Sequence, residues 1–307
     1  MAEEPFRAAY LKLVESGEVA RRAELLKEML GSCTLCPRQC RADRSAGELG
    51  WCGAGADVFI SSYGRHLGEE SVLVGRYGSG TIFFAGCTLG CVFCQNYDIS
   101  QLRHGYHISQ SELADIMIEL QEQGCHNVNF VSPTHQVAQI VEAVEIAAKR
   151  GLCVPLVYNT GGYDSVESLA FLDGIVDIYM PDMKYGDNGP GSVYSGAPDY
   201  WDRCREAVKE MHRQVGDLDV RKGTFAIAVR GLLVRHLVLP NGLAGTASVA
   251  RFLADEVSRK TFINVMPQYR PAYDARRYPE LTREITPDEY EEAVGSVREA
   301  GLRNIIG

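Results

Sequence analysis

Cys87, Cys91 and Cys94 lie in one short stretch, Cys87-Thr-Leu-Gly-Cys91-Val-Phe-Cys94. Thiolates bind soft metals, and this C-x3-C-x2-C spacing supplies three of them from a single loop. Zinc ordinarily takes four protein ligands, or three plus a water, and rarely in this spacing. A cubane [4Fe-4S] cluster has four irons and usually takes four cysteines. Three cysteines would leave one iron open to bind something else. The triplet therefore predicts a catalytic cluster rather than a purely electron-carrying one.

A loop of this kind must be held by regular structure. The residues before it, Gly80-Thr-Ile-Phe-Phe-Ala85, read as a buried strand, apolar and bounded by glycine. The end of a first barrel strand is where a β/α barrel builds its active site. From residue 80 onward strands and helices alternate. Further strands are expected at 127–131, 154–158, 175–180, 232–239 (with 226–229 feeding it) and 262–266. Helices are expected after the capping box Ser109-Gln-Ser-Glu112, at 137–149, 166–172, 200–215 and 249–258. The last begins at a second capping box, Thr286-Pro-Asp-Glu289, and ends at Gly301. Six such strands imply a parallel sheet with right-handed crossovers. Residues 80–307 are too few for eight strand–helix units, so the expected fold is α/β, a partial (β/α)6 TIM-type barrel. Residues 1–79 form the other expected unit, a small N-terminal Cys-rich segment with a helical stripe over 5–30 and short strands at 57–60 and 72–74.

That N-terminal segment holds a second group of thiols, Cys33, Cys36, Cys40 and Cys52, among the turn-formers Pro37, Gly47, Gly50 and Gly53. A segment this polar cannot build its own core, and a structural metal would supply the missing free energy. Tetrahedral zinc and an auxiliary iron–sulfur cluster are both open, beside reduced thiols with no metal. Cys125, Cys153 and Cys204 read as isolated small core residues.

The bulk properties bound the function. The chain has 307 residues, 46% hydrophobic and 23% charged, and a net charge of −9. The negative balance argues against broad nucleic-acid binding and against an anionic membrane surface. Met1-Ala2-Glu3-Glu4-Pro5 lacks the basic n-region of a signal peptide, and no apolar run approaches the length of a membrane span. A cytoplasmic location is expected, with the ten cysteines as thiols or metal ligands rather than disulfides.

The cysteine loop resembles that of the radical S-adenosylmethionine (SAM) superfamily. The resemblance implies that the open iron chelates the amino and carboxylate groups of SAM. One electron from the cluster then cleaves SAM to methionine and a 5′-deoxyadenosyl radical. Phe93 matches the aromatic residue that lies beside the adenine. The continuation Gln-Asn96-Tyr-Asp98 is similar to pyruvate formate-lyase activating enzymes. A less characterised branch, the PflX-like homologues of those enzymes, is resembled by several further stretches. These include Cys-Thr-Leu-Cys-Pro-Arg-Gln-Cys40, Val131-Ser-Pro-Thr-His135, Tyr158-Asn-Thr-Gly-Gly-Tyr163, Met180-Pro-Asp-Met-Lys-Tyr185 and Val265-Met-Pro-Gln-Tyr-Arg-Pro271.

The resemblance also suggests where SAM contacts should fall. Activating enzymes carry Gly-Gly-Glu after the second barrel strand. Here Ser132 and Thr134 stand in that region, with hydroxyls and carbonyls to offer the SAM amino group. Asn159 and Thr160 end the third strand and suit the ribose or methionine part. Asp182 and Lys184 end the fourth, where a lysine can pair with the SAM carboxylate. Arg235 lies in the fifth strand, and Gln268 follows the sixth. No catalytic residue beyond the cluster is assigned. His66, Glu69 and Glu70 are candidates for a cap or a substrate contact. The implied partners are an electron donor, flavodoxin or ferredoxin, and a substrate that is a glycyl radical protein, another peptide or a small molecule. A non-catalytic iron–sulfur or zinc protein of electron transfer is the rival class.

Overall fold

The computed structural model describes residues 6–306, so the reading of Met1–Pro5 lies outside the described residues. Ten strands form one sheet system: β1 Val58–His66, β2 Ser79–Phe84, β3 Tyr106–Ile108, β4 Val128–Val131, β5 Leu156–Thr160, β6 Ile178–Pro181, β7 Asp219–Arg221, β8 Ile227–Leu237, β9 Phe262–Met266 and β10 Ile305–Ile306. The order is β3-β1-β2-β4-β5-β6-β8-β9-β10, with β7 paired to β8. From β2 to β10 all neighbours on that path run parallel. β1 turns antiparallel onto β2, and β3 antiparallel onto β1. The path has two ends, so the barrel is open. The α/β partial barrel expected from the alternation is present, with β10 as a short extra parallel strand.

The parallel strands are buried on both faces, because helices cover the outside. β5 and β6 have no exposed residue. Outside, the helix Glu18–Glu28 packs on Val137–Lys149, which also packs on Gln110–Glu122. Both expected capping boxes form, Ser109 with Glu112 and Thr286 with Glu289. The helices at 137–149 and 200–215 fall where the apolar stripes put them.

Four local readings are corrected. The stripe over 5–30 is two helices, Tyr10–Glu15 and Glu18–Glu28, parted at Gly17, whose φ of 76° breaks the helix. The helix expected over 249–258 starts earlier, at Thr246, and ends in a wider π turn over Leu253–Val257. Cys153 is exposed, whereas Cys125 and Cys204 are buried as expected. The fourth correction concerns 72–74, expected as a strand. It is a helical turn, Ser71–Val74, and its Leu73 is fully buried against Val157, Ile178, Met180 and Leu233. These side chains come from three parallel strands, so the turn plugs the inside of the open barrel. Burial of Leu73 outweighs the strand preference of the flanking valines. The plug carries Glu69 and Glu70 inward with it.

Candidate active site

The loop after β2 is set by close backbone packing. Gly86 has φ of 81°, and a Cβ there would lie 2.3 Å from the Cys52 carbonyl oxygen. Glycine is required on both counts. The loop is then braced from outside by the end of the helix Asn188–Ser195, residues 194–196. Gly90 N donates to Ser195 O (3.0 Å) and Val92 N to Tyr194 O (2.8 Å).

Cys87, Cys91 and Cys94 line one cavity of about 250 Å³. Each thiol has its own neighbour. Leu89 N–H donates to Cys87 Sγ at 3.4 Å, Ser195 Oγ lies 2.9 Å from Cys91 Sγ, and Ser100 Oγ lies 3.1 Å from Cys94 Sγ. Tyr185 Oη, 2.7 Å from Ser195 Oγ, fixes that serine. Burial pushes the Cys87 thiol up to about 12 and raises Cys91 as well, while Lys184 opposes the rise at Cys91. Metal binding at these thiols would therefore release protons.

Most of the strand-end residues meet in the same cavity. Phe93, Ser132, Asn159, Thr160, Asp182, Lys184, Arg235 and Gln268 all line it. Strand register does this: Val131 pairs with Asn159, Asp182 bridges to Arg235, and Arg235 pairs with Asn264. Asp182 is the hub of the floor. Its two carboxylate oxygens accept from Arg235 Nε (2.8 Å) and Lys184 Nζ (2.7 Å), and Arg235 Nη2 also donates to Asn159 Oδ1 (2.8 Å). Burial alone would raise the Asp182 carboxyl, but the two cations bring it down to about 2. Burial likewise opposes the charge on Lys184 and Arg235, yet Asp182 holds both above their ordinary values. Phe93 is buried edge-on between Tyr185 and Tyr269. Ser132 has φ of 56°, a left-handed conformation uncommon for a residue with a Cβ, and its N–H donates to Asn159 O (2.8 Å).

Thr134 does not reach the cavity. Its buried hydroxyl donates to Asp164 Oδ1 (2.7 Å), as does the Tyr158 hydroxyl, while Thr160 donates to Oδ2. Asp164 thus gathers three hydroxyls and positions Thr160 from behind. Glu69 and Glu70 are not a cap over the cavity. Glu69 lies 3.8 Å from Arg235, and Glu70 accepts from Asn264 Nδ2 at 2.9 Å, both from the plug within the barrel. His66 stands 3.5 Å from Glu69. Ser100, Asp164 and Ser195 carry no mark in the sequence. Ser195 is 104 residues from the cysteine it touches.

His135 props the base of the cysteine loop, its Nε2 standing 2.8 Å from Ala85 O. It is 2% exposed, and burial lowers its pKa to about 4 from an ordinary 6.5. The folded chain thus refuses a proton that the unfolded chain accepts, so stability is full above about 6.5 and falls as pH drops towards 4. Between pH 7 and 4.5 the wild type is expected to lose about 2–3 kcal/mol more than His135→Asn. Urea midpoints of the two proteins at both pH values check this, and equal losses would sink it.

An open β/α barrel with a three-cysteine loop at the C-terminal end of its first parallel strand, facing a floor of paired charges, defines a class of metal-dependent enzyme. The sequence profile of the radical SAM superfamily matches residues 81–231. An uncharacterised protein of Methanocaldococcus jannaschii, MJ0674, is 33% identical over 294 residues, covering 92% of this chain and 79% of the relative. Among solved structures, a radical SAM methyltransferase from Sphaerobacter thermophilus aligns with a TM-score of 0.47 at 16% identity. That alignment covers 74% of this chain and 65% of the other. The FeFe-hydrogenase maturase HydG from Carboxydothermus hydrogenoformans aligns at 0.45 and 12%, covering 71% and 50%. The chain belongs to the radical SAM superfamily. Membership implies a [4Fe-4S] cluster, SAM, an electron donor and reductive cleavage of SAM.

The residues present fit that cluster. Three thiols face one cavity, yet among the described residues no three Cys, His, Asp or Glu side chains are grouped to hold a single metal ion. A cubane takes each cysteine on a separate iron, and three thiols lining one cavity suit three of its four corners. No helix among the described residues is long and apolar enough to cross a membrane.

Proposed function

We propose that the chain abstracts a hydrogen atom from a substrate carbon, in the manner of an activating enzyme, and that the carbon belongs to the glycine loop of a glycyl radical protein. When bound, the cluster and SAM supply the reducing electron and the deoxyadenosyl radical. The chain's own residues anchor and orient. Cys87, Cys91 and Cys94 ligate the cluster. Lys184 and Arg235 offer positive charge to the SAM carboxylate. Ser132, Asn159 and Thr160 serve its amino and ribose groups, Phe93 gives the adenine an apolar face, and Gln268 lies near the rim. Thr134 acts only through Asp164 and Thr160.

The observation that carries this reading is the meeting of three thiols and the Asp182–Lys184–Arg235 floor in one cavity. The activating-enzyme element rests on the Asn96-Tyr-Asp98 continuation. The proposal places the catalytic unit at 80–307 and its support at 1–79, in the cytoplasm, with flavodoxin or ferredoxin as donor. It also gives Cys33, Cys36, Cys40 and Cys52 a second metal, zinc or iron–sulfur.

The test is anaerobic. The reconstituted, reduced protein is given SAM, and 5′-deoxyadenosine and methionine are quantified with and without a candidate glycyl radical partner. Equimolar products are expected, with a glycine-centred radical signal in the partner. A verified, reducible cluster that yields no 5′-deoxyadenosine under either condition would favour the electron-transfer class. Products without a radical on the partner would move the substrate to a small molecule or another peptide.

A further inference from the structure

The buried charge that the active site leaves unexplained is Arg44. It is 1% exposed, and among the described residues no carboxylate pairs with it. Its guanidinium donates to the carbonyls of Gly55 (2.6 and 3.0 Å) and His135 (2.8 Å), and Nη1 lies 3.8 Å from Cys33 Sγ. A buried cation needs an anion, and protonated thiols do not supply one. Thiolates bound to a metal do.

The backbone around these thiols is constrained. Gln39 and Arg41, on either side of Cys40, hold left-handed φ of 41° and 60°, strain that persists where surrounding structure imposes it. A Cβ on Gly50 would lie 2.8 Å from Cys40 Sγ and 4.0 Å from Cys52 Sγ, so a side chain there would displace the Cys40 thiol. Cys33, Cys40 and Cys52 all lie within electrostatic reach of Cys36, although among the described residues no three of them are grouped around one ion, and four thiols suit either tetrahedral zinc or an iron–sulfur core.

The same turn grips the catalytic loop. Arg38, between Cys36 and Cys40, donates from Nε to Thr88 O (2.7 Å), between Cys87 and Cys91, and from Nη1 to Gly196 O (2.7 Å). Its guanidinium stacks 3.8 Å from the centre of the Trp51 ring, next to Cys52. It therefore ties the N-terminal turn to the catalytic loop and to the 194–196 brace at once.

We infer that Cys33, Cys36, Cys40 and Cys52 form a thiolate-ligated metal centre, charge-balanced by buried Arg44, that clasps the Cys87–Cys94 loop through the positioning residue Arg38. This deepens the cofactor reading proposed above and goes beyond it in giving the centre a task. Metal uptake here releases thiol protons to solvent and involves no redox step.

Two metal counts test the centre. The intact reconstituted protein should hold about four irons plus about one zinc, or about eight irons, per chain. The variant Cys87→Ala/Cys91→Ala/Cys94→Ala should keep about one zinc or about four irons. This arm is independent of SAM chemistry, so its failure and that of the radical reading are separable. An intact protein with only about four irons and no zinc, or a folded triple variant free of metal, overturns the centre. The clasp is tested with Arg38→Ala. It should retain the second metal while losing catalytic-cluster iron to a chelator at least about tenfold faster. Unchanged loss rates overturn the clasp.

Discussion

Replacing Cys91 with alanine lowers 5′-deoxyadenosine formation by at least about a hundredfold, whereas Ser195→Ala lowers it only about tenfold. The contrast follows from what each residue touches. Cys91 is one of the three thiols that line the cavity among the described residues, and its loss would leave the cluster two protein ligands. Ser195 touches the sulfur and not the metal, and its Oγ at 2.9 Å orients and tunes a ligand that remains in place. The checking measurement pairs product with iron content and the spectrum of the reduced cluster. Cys91→Ala should lose both product and intact cluster. Ser195→Ala should keep its iron and show a shifted reduction potential, because hydrogen bonds to cluster ligands set that potential. A Cys91→Ala protein that still makes product at wild-type rate would remove the loop from the chemistry.

The sequence made the frame legible because the frame obeys local rules. Period, caps and glycine stops locate the helices at 137–149 and 200–215 and the strand at 262–266 without reference to the rest of the chain. The residues at strand ends were legible for the same reason: once a strand is placed, its C-terminal residues must face the rim. What stayed hidden depends on distant partners. Leu73 sits in a short apolar run that reads equally as strand or helix, and only the vacant interior of an open barrel decides it. Ser195 and Asp164 are ordinary polar residues until the fold sets one against Cys91 and the other beneath Thr160. Thr134 shows the limit within a single side chain, since its position after β4 puts it near the rim but its hydroxyl turns to Asp164. Arg44 and Arg38 show the same limit: their charge is plain in the sequence, but their burial and reach are not.

Asp182→Ala and Lys184→Met should separate holding the floor from binding the substrate. Asp182 is the carboxylate between two cations, with side-chain exposures of 17% and 19% across the Lys184 pair. Its removal leaves Arg235 facing Lys184, with Glu70 and Glu69 (the latter at 3.8 Å) as the remaining neighbours of opposite sign. An uncompensated charge in such a place costs about 2–3 kcal/mol, somewhat below the fully buried case. The carboxyl itself points to the same size. Its pKa of about 2, against an ordinary 3.8, contributes about 2 kcal/mol that is present above pH 3.8 and lost as pH falls towards 2. Lys184→Met is different. Asp182 keeps Arg235 at 2.8 Å, so the floor stays neutralised and stability should change by less than about 1 kcal/mol. The cation facing the cavity is gone, however, and a lost charge-assisted contact to the SAM carboxylate should raise the KM for SAM about 10- to 100-fold. Urea unfolding and SAM titration of both variants give a two-by-two outcome. If Lys184→Met binds SAM as the wild type does, the lysine belongs to the floor alone and Arg235 becomes the carboxylate partner. If Asp182→Ala is as stable as the wild type, the floor is not an electrostatic unit, and the positions of Arg235 and Lys184 must be set by packing of their stems instead.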